Sequence, residues 1–309
     1  MIEKRGQEME QRTDRPAASG FKPKVAIAMR SYNDRGVIRG TLELIRRQTY
    51  RNFELWNFDS SSTDGTLDII KEFNDAHHIR RNDSASYNPG TVLNEAVRSV
   101  GGEVVVFINS DATPEGEDWL EQLIAPLADP QVGVVYGRQT ARPDCRSLFV
   151  KDTERAFGDG REAATWVHFF SMANCAVRRD ILERFPFETR IQYSEDIEWS
   201  YRLRKAGLAI RYVAAAAATH SHNYTLRQSF KRQFGEGKAE AWIFHAGEIN
   251  TSFLRYCLLP FGMEVLRDLR WAAQQGSLDA FVHTVPLRAV QKWGRWRGLL
   301  EGRRTAAAH

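Results

Sequence analysis

The sequence predicts an α/β protein: a three-layer domain around a mostly parallel central sheet, followed by a C-terminal helical appendage. Three observations predict it. Short unbroken apolar runs stand at 25–29 and 104–108, the pattern of strands buried on both faces. Apolar residues between such runs recur at helical spacing, as in Leu93, Ala96, Val97 and Val100, which makes one helix face apolar. Repetition of these strand–helix units favours parallel pairing with helices on both faces of the sheet.

The elements follow in order. Met1 to Gly20 is polar, mixes acids with bases and lacks the apolar core of a signal peptide. Residues 1–22 are therefore expected to be a disordered leader, 23–248 the α/β domain and 249–309 a basic amphipathic helical tail. Val25-Ala26-Ile27-Ala28-Met29 is the first strand, and Ile38, Leu42 and Ile45 line one face of the first helix. A second strand is expected over 53–59 and a helix over 66–73. The Leu93 stripe is ended by Gly101-Gly102. Val104-Val105-Val106-Phe107-Ile108 is β-branched, continuous and too short for a helix. Leu120, Leu123, Ile124 and Leu127 give another helix, stopped by Asp129-Pro130, and 132–136 a further strand. Beyond Arg138 the rhythm changes: an irregular charged flap over 141–165, a long strand over 167–177, a helix over 195–206, a short strand over 210–213 and a longer helix over 225–244 with Lys231, Arg232 and Lys238. The run Ala214–Ala218 suggests no function. The tail from Ile249 holds nine Lys/Arg against four Asp/Glu, with Trp271, Trp293 and Trp296.

Composition narrows the function classes. Hydrophobic residues make up 42% of the 309 and charged residues 27%, so a sizeable core is expected and wholesale disorder is not. The net charge of +4 suits an anionic ligand, a membrane surface or nucleic acid alike and decides nothing until the charges are located; on the reading reached below, no nucleic-acid partner is expected. Three cysteines without ligand spacing argue against a disulfide framework or a zinc site, and the cytoplasm is the expected compartment. No apolar stretch reaches the roughly 18–20 residues of a membrane span. No Gly-x-Gly-x-x-Gly follows a strand, Gly235-Glu236-Gly237-Lys238 lacks phosphate-loop spacing, and no Gly-x-Ser-x-Gly elbow occurs.

What remains is a set of polar clusters at expected strand ends, where parallel sheets bind ligands. They are Arg30-Ser31-Tyr32-Asn33-Asp34, Asp59-Ser60-Ser61-Ser62-Thr63-Asp64-Gly65 and Asn109-Ser110-Asp111. Each also suits loop and capping chemistry. Asp111, where the chain leaves five buried apolar residues, is placed to bind Mg²⁺ or Mn²⁺ together with diphosphate oxygens. Ser194-Glu195-Asp196 opens a helix; its acids complement the helix dipole, or one of them serves as a general base. His220-Ser221-His222 places two imidazoles on one side of an extended chain, for hydrogen bonding or to complete a metal site with Asp111.

Taken in order, these clusters resemble glycosyltransferase family 2, inverting enzymes of the GT-A fold, over residues 24–238. The resemblance is carried by Val25 to Asn33, by Asp59-Ser60-Ser61-Ser62-Thr63-Asp64-Gly65-Thr66, by Asn109-Ser110-Asp111-Ala112-Thr113-Pro114 and by Glu195-Asp196. Asn88-Pro89-Gly90-Thr91-Val92-Leu93-Asn94, Tyr136-Gly137-Arg138-Gln139, Asn174-Cys175-Ala176-Val177-Arg178-Arg179 and His220-Ser221-His222-Asn223-Tyr224 are similar to the bacterial rhamnosyltransferase branch. Asn109 stands where the family's usual Asp-x-Asp motif has its first acid, and Leu93 where relatives of this branch often carry a basic residue. By this resemblance Asp59 holds the donor base, Asp111 and His222 the metal, and Asp196, with Glu195 beside it, the acceptor hydroxyl. Ser31, Asp83 and Ser110 complete the donor pocket, and Arg232 reaches the diphosphate. The processive synthases' Gln-x-x-Arg-Trp is missing, since Gln228 and Arg232 are four apart.

The expected function is inverting, single-addition transfer of a sugar, with L-rhamnose as the branch suggests. The donor would be dTDP- or UDP-linked, and the acceptor a glycan or lipid-linked oligosaccharide at the cytoplasmic face of the inner membrane. Two competitors are a nucleotidyltransferase making the sugar nucleotide, whose glycine-rich loop is absent from 30–35, and a catalytically silent glycan- or nucleotide-binding module.

Overall fold

The computed structural model describes residues 20–158, 169–245 and 249–306. The expected leader, apart from 20–22, lies outside the described residues. So do the end of the expected flap, the start of the expected 167–177 strand and the last three residues of the tail.

The strand-like runs are strands, and the amphipathic stretches between them are helices. The chain runs β1 (Val25–Ser31), α1 (Ile38–Arg47), β2 (Phe53–Asp59), α2 (Thr66–Phe73), β3 (Ile79–Arg81), α3 (Pro89–Ser99), β4 (Val104–Asn109), β5 (Thr113–Pro114), α4 (Trp119–Ile124), β6 (Val132–Thr140), α5 (Ser147–Phe157), β7 (Asn174–Arg178), α6 (Arg179–Arg184), α7 (Glu195–Lys205), β8 (Ala209–Thr219), α8 (Leu226–His245), α9 (Leu259–Gln275) and α10 (Leu278–Ala306). One eight-stranded sheet takes the order β3-β2-β1-β4-β7-β6-β8-β5. Pairs β1–β2, β1–β4, β2–β3 and β6–β8 are parallel; β4–β7, β6–β7 and β5–β8 are antiparallel. The two faces bury separate clusters, one around Phe58, Phe107 and Trp199, the other around Ile27, Ile45 and Trp119.

Three expectations change. The flap contains a helix, α5, whose buried Leu148 packs against Ala272, Ala280 and Leu287. The long strand shrinks to β7. Phe170 and Met172 are apolar because they sit in the core ahead of the ladder, not because they pair. The short strand lengthens to Thr219 and absorbs the alanine run. Small side chains suit that place, because the strands crowd there: a Cβ on Gly137 would lie 2.1 Å from the Ala216 carbonyl oxygen.

The described chain groups into two compact units. The first comprises residues up to 141, 153–189 and 196–220, and holds the whole sheet. The second comprises 142–152, 190–195 and 221–309.

Within the second unit α8 packs along α10. Added Cβ atoms on Gly294, Gly298 and Gly302 would lie 2.7, 2.0 and 2.6 Å from the carbonyl oxygens of Phe230, Phe234 and Lys238. That spacing of four puts three glycines on one helix face, so two backbones come into contact.

Candidate active site

Parallel pairing aligns the carboxyl ends of β1, β2 and β4. Ser31 stands opposite Asp59, and Arg30 opposite Asn109. The three polar clusters thus share one edge of the first unit, and a cleft of about 360 Å³ opens there. Ser31, Asp34, Asn109 and Asp111 line it from the strand ends, with Arg30 as a cation and Tyr32 and Tyr87 as aromatic walls.

The cleft floor is tied together by hydrogen bonds. Ser31 Oγ lies 3.0 Å from both Asn57 Oδ1 and Asp59 Oδ2. Asp59 is fully buried and also accepts from Ser62, through N–H at 2.9 Å and Oγ at 2.6 Å. Ser110 is buried as well, and its hydroxyl donates to the Asp34 carboxylate. Asp34 further accepts from the Tyr32 N–H at 3.1 Å. Burial raises the Asp34 pKa above the usual carboxylate range; the Ser110 bond opposes this, and the nearby charge of Asp111 adds to it. Asn109, in place of an acid, accepts from Arg30 Nη2 at 3.0 Å.

Asp111 faces an imidazole. Its Oδ1 lies 3.4 Å from His220 Nε2, with both side chains largely buried. The ring is held from behind: Nδ1 is 2.7 Å from Gln139 Oε1, and Gln139 Nε2 donates to Ser171 Oγ at 2.9 Å. An amide oxygen at Nδ1 makes that nitrogen the donor and leaves Nε2 as the ring atom that faces Asp111. A carboxylate and an imidazole nitrogen converging in this way can hold a divalent cation. Asn174 braces the strands nearby, accepting from Trp119 Nε1 and donating to the carbonyls of Arg138 and Ala216.

The remaining sequence candidates are placed as follows. Asp196 and Glu195 stand at the start of α7, directly after Ser194, whose φ is +60°. Asp196 Oδ1 accepts from the Ile197 N–H at 2.8 Å. Burial pushes the Cys175 thiol up; a hydrogen bond to the Phe107 backbone and the charge of Arg30 oppose this, and the charge of Asp196 adds to it. Asp83 is exposed and caps the Ala85 N–H at 3.0 Å, while its neighbour Ser84 lines the cleft. His222 and Arg232 belong to the second unit. The His222 ring lies 5.1 Å from that of Tyr224. Arg232 pairs with Glu236 at 2.8 Å and donates to the Tyr224 hydroxyl at 2.6 Å.

The stretch from Asn88 to Asn94 is a brace. Asn88 caps α3 through the Thr91 N–H and donates to the Thr189 carbonyl at 2.9 Å. Asn94 exchanges two 2.8 Å bonds with the Phe187 backbone. Gly90 is required because a Cβ would lie 2.0 Å from the Glu188 carbonyl oxygen. Three residues of one helix thus fix 187–189, the segment leading to Asp196. Sequence reasoning missed Tyr87, whose only signal is its place immediately before the Asn88-Pro89 helix start.

Comparison with known proteins bears on this geometry. The family model described as glycosyl transferase family 2 matches residues 26–185. The chain is similar to the O-antigen chain rhamnosyltransferase RfbN of Salmonella typhimurium, at 29% identity over 236 residues, covering 72% of this chain and 73% of that one. It is also similar to the O-antigen chain rhamnosyltransferase WbaN of Salmonella anatum, at 32% identity over 214 residues and 65% of each chain. Among solved structures it resembles the mannosyltransferase PcManGT from Pyrobaculum calidifontis in complex with GDP-Man and Mn²⁺, with a TM-score of 0.60 at 20% identity, covering 99% of this chain and 92% of that one. At that identity the likeness concerns the fold alone, which is of the GT-A type.

Proposed function

The chain belongs to glycosyl transferase family 2, and from that premise we propose inverting, single-addition transfer of a sugar from a nucleoside-diphosphate donor to a hydroxyl of a growing cell-surface glycan. The names of the two Salmonella relatives favour rhamnose as the sugar and an O-antigen chain as the acceptor; the L-configuration and a dTDP- or UDP-linked donor are taken from the sequence resemblance. A lipid-linked oligosaccharide acceptor, met at the cytoplasmic face of the inner membrane, is part of the same proposal and likewise rests on the sequence resemblance.

The observation that carries the reading is the pair of Asp111 and His220, of which Asp111 lines the cleft that also holds Asp34. Two carboxylates repel a diphosphate, and Arg30 supplies a single positive charge among the cleft's lining residues. A divalent cation restores the balance, and the carboxylate–imidazole set fits Mg²⁺ or Mn²⁺. Solved glycosyltransferases of similar fold hold Mn²⁺ with a nucleotide sugar. When bound, the cation supplies stabilisation for negative charge on the departing diphosphate. Asp111 holds it. His222 is its histidine partner by sequence resemblance, and His220 by the 3.4 Å approach.

The protein's own groups do the rest. Ser31, Asp59 and Ser110 form the floor under the nucleotide, and the sequence resemblance adds Asp83 and Arg232 to the donor-binding residues. Asp196, with Glu195 beside it, accepts the proton of the acceptor hydroxyl as its oxygen bonds to the anomeric carbon. The bond from that carbon to the diphosphate breaks, and its electron pair leaves with the nucleotide.

A thermal-shift titration tests the site, because a ligand that binds only the folded state raises the melting temperature. We expect dTDP-rhamnose or a UDP-sugar to raise it only with Mn²⁺ present. Asp111→Ala should remove the Mn²⁺-dependent part while leaving the metal-free melting temperature intact. Comparing His220→Ala with His222→Ala tells which imidazole matters. Donor binding by wild type that is indifferent to Mn²⁺, or undiminished transfer by folded Asp111→Ala, would reject the assignment.

A further inference from the structure

The second unit carries a helix pair that leaves a row of large apolar side chains exposed while burying charged ones. Globular helices bury apolar faces and expose polar ones. In α9 and α10 the buried face mixes Ala272, Ala280, Leu287 and Leu299 with Asp268, Thr284 and Arg288, and Asp268 is fully buried. Asp268 is bound by Lys151 at 2.5 Å and by Arg288 at 2.6 Å, and Arg288 also reaches Asp152 at 2.7 Å. The outward face is apolar. Leu278, Phe281, Val282, Val285 and Trp293 are all exposed, from 43% at Trp293 to 75% at Leu278. Their spacing keeps them on one side of α10, and the exposed positions between them, Pro286 and Ala289, are uncharged. The preceding helix adds Met263 and Leu266, both more than half exposed. Phe253 joins the two ends, with its ring 6.2 Å from Trp293 and 5.1 Å from Trp296. A contiguous apolar face of this kind marks an interaction surface.

Charge selects the occupant. Between 253 and 300 every charged residue of the exposed class is an arginine: Arg255, Arg267, Arg270 and Arg297. Of the three acids of this stretch, Glu264 and Asp268 are turned in, at 12% and 0% exposed, and Asp279, at 42%, pairs with His283 at 3.0 Å. A second copy meeting this face through a two-fold axis would set arginines against arginines. An anionic lipid surface offers the opposite sign around an apolar interior, and tryptophan rings suit the boundary between the two. Among the described residues no helix is long and apolar enough to cross a membrane. We propose that α9 and α10 lie flat on an anionic bilayer, with the Leu278–Trp293 stripe inserted among the acyl chains and the arginines at the headgroups. The proposal rests on the glycosyltransferase reading only in taking the membrane as the place where the acceptor is met. The face itself is read from its own side chains.

The test uses the full chain and vesicles of phosphatidylcholine with and without phosphatidylglycerol. Wild type should sediment with the anionic vesicles, more weakly at high salt, and brominated acyl chains should quench its tryptophan emission. Phe281→Glu/Val285→Glu places two acids on the stripe without removing a buried group, and should weaken sedimentation by about tenfold or more. Arg267→Gln/Arg270→Gln should reduce the preference for anionic over neutral vesicles. Trp293→Phe should lose part of the quenching, a readout that stands even where the double glutamate variant folds poorly. Transfer to a water-soluble acceptor is measured alongside, so loss of vesicle binding with transfer retained separates this surface from the chemistry. The proposal is overturned if wild type stays in the supernatant at low salt, or if the glutamate variant sediments as wild type does. A concentration-dependent dimer abolished by those glutamates, with no vesicle binding, would overturn it in favour of a second copy.

Discussion

Whether Asp196 is a base or only one of the acids at a helix start depends on what its carboxylate does besides accept the Ile197 N–H. Asp196→Asn retains an oxygen for that bond, but its amide cannot take a proton. We expect donor-dependent thermal shifts to be unchanged and turnover to fall by about 10²–10⁴-fold, the usual worth of a general base. Steady-state kinetics with saturating donor checks this. If Glu195→Gln shows the loss and Asp196→Asn does not, the role belongs one residue earlier. At this scale the sequence exposes residue types and spacing but not depth. Asp59 and Ser110 are legible as strand-end polar residues, yet both lie buried beneath the cleft rather than in its wall. The His220–Asp111 approach joins positions 109 apart in the sequence, brought together because β8 continues to Thr219. An alanine run gives no periodic signal to reveal that continuation. Asp34 reads as an ordinary loop acid, and only the fold supplies the burial and the nearby Asp111 charge that raise its pKa against the Ser110 hydrogen bond.

Elements are more legible, because burial on two faces writes itself into consecutive residues. β1 and β4 show as unbroken apolar runs, and α2 begins and ends at the expected residues. Its start has a pH signature. Asp64 accepts from the Thr66 N–H at 3.0 Å, the Thr66 hydroxyl at 2.6 Å and the Arg35 N–H at 3.0 Å. Burial works against its charge, but these bonds outweigh it and hold its pKa below the usual value. A carboxylate with a depressed folded pKa stabilises above its unfolded pKa of about 3.9, and that contribution is lost as pH falls through the folded value. Asp64→Ala should therefore cost about 1 kcal/mol at neutral pH. In urea titrations the gap from wild type should close on acidification below about pH 4; a gap that persists unchanged there would disprove the linkage. Elsewhere the pattern misleads. α5 carries Lys151 and Asp152 inward, to partners more than a hundred residues away, so its inner face reads as charged. The glycine ladder of α10 reads as poor helix propensity when it is a contact surface. A Cβ at Gly298 meets the Phe234 carbonyl, whereas Gly262 in α9 has nothing within 4 Å. Gly298→Ala should destabilise by about 1–3 kcal/mol. Gly262→Ala should stabilise by about 0.5–1 kcal/mol through helix propensity alone, and equal responses in thermal melts would rule out backbone contact at α10.

For the whole molecule, composition and strand rhythm announce a sheet domain with a basic helical end, and the sheet unit is what they describe. They place a boundary at 249 because the charge pattern shifts there, yet the contacts that matter to residues 249–309 lie upstream of it. Gly294, Gly298 and Gly302 seat α10 against Phe230, Phe234 and Lys238 of α8. Leu299 is buried with Ala241 and Ile249. Lys151 and Asp152 are neutralised by Asp268 and Arg288. A chain ending at 248 would leave α8 with a bare face of small residues, and Lys151, otherwise largely buried, without its acid. Removing one partner of a buried pair is strongly destabilising, by about 3–5 kcal/mol. The sheet unit keeps its own clusters on both faces, so the loss should be local rather than global. Hydrogen exchange on the 1–248 chain measures this directly. Amides of 226–245 and 147–152 should exchange at least about a hundredfold faster than in the full chain, as expected when a few kcal/mol of local stability is removed, while those of 104–109 keep their protection. If α8 remains as protected as in the full chain, residues 249–309 are a detachable appendage, the boundary at 249 stands, and the packing between α8 and α10 contributes little to the stability of either.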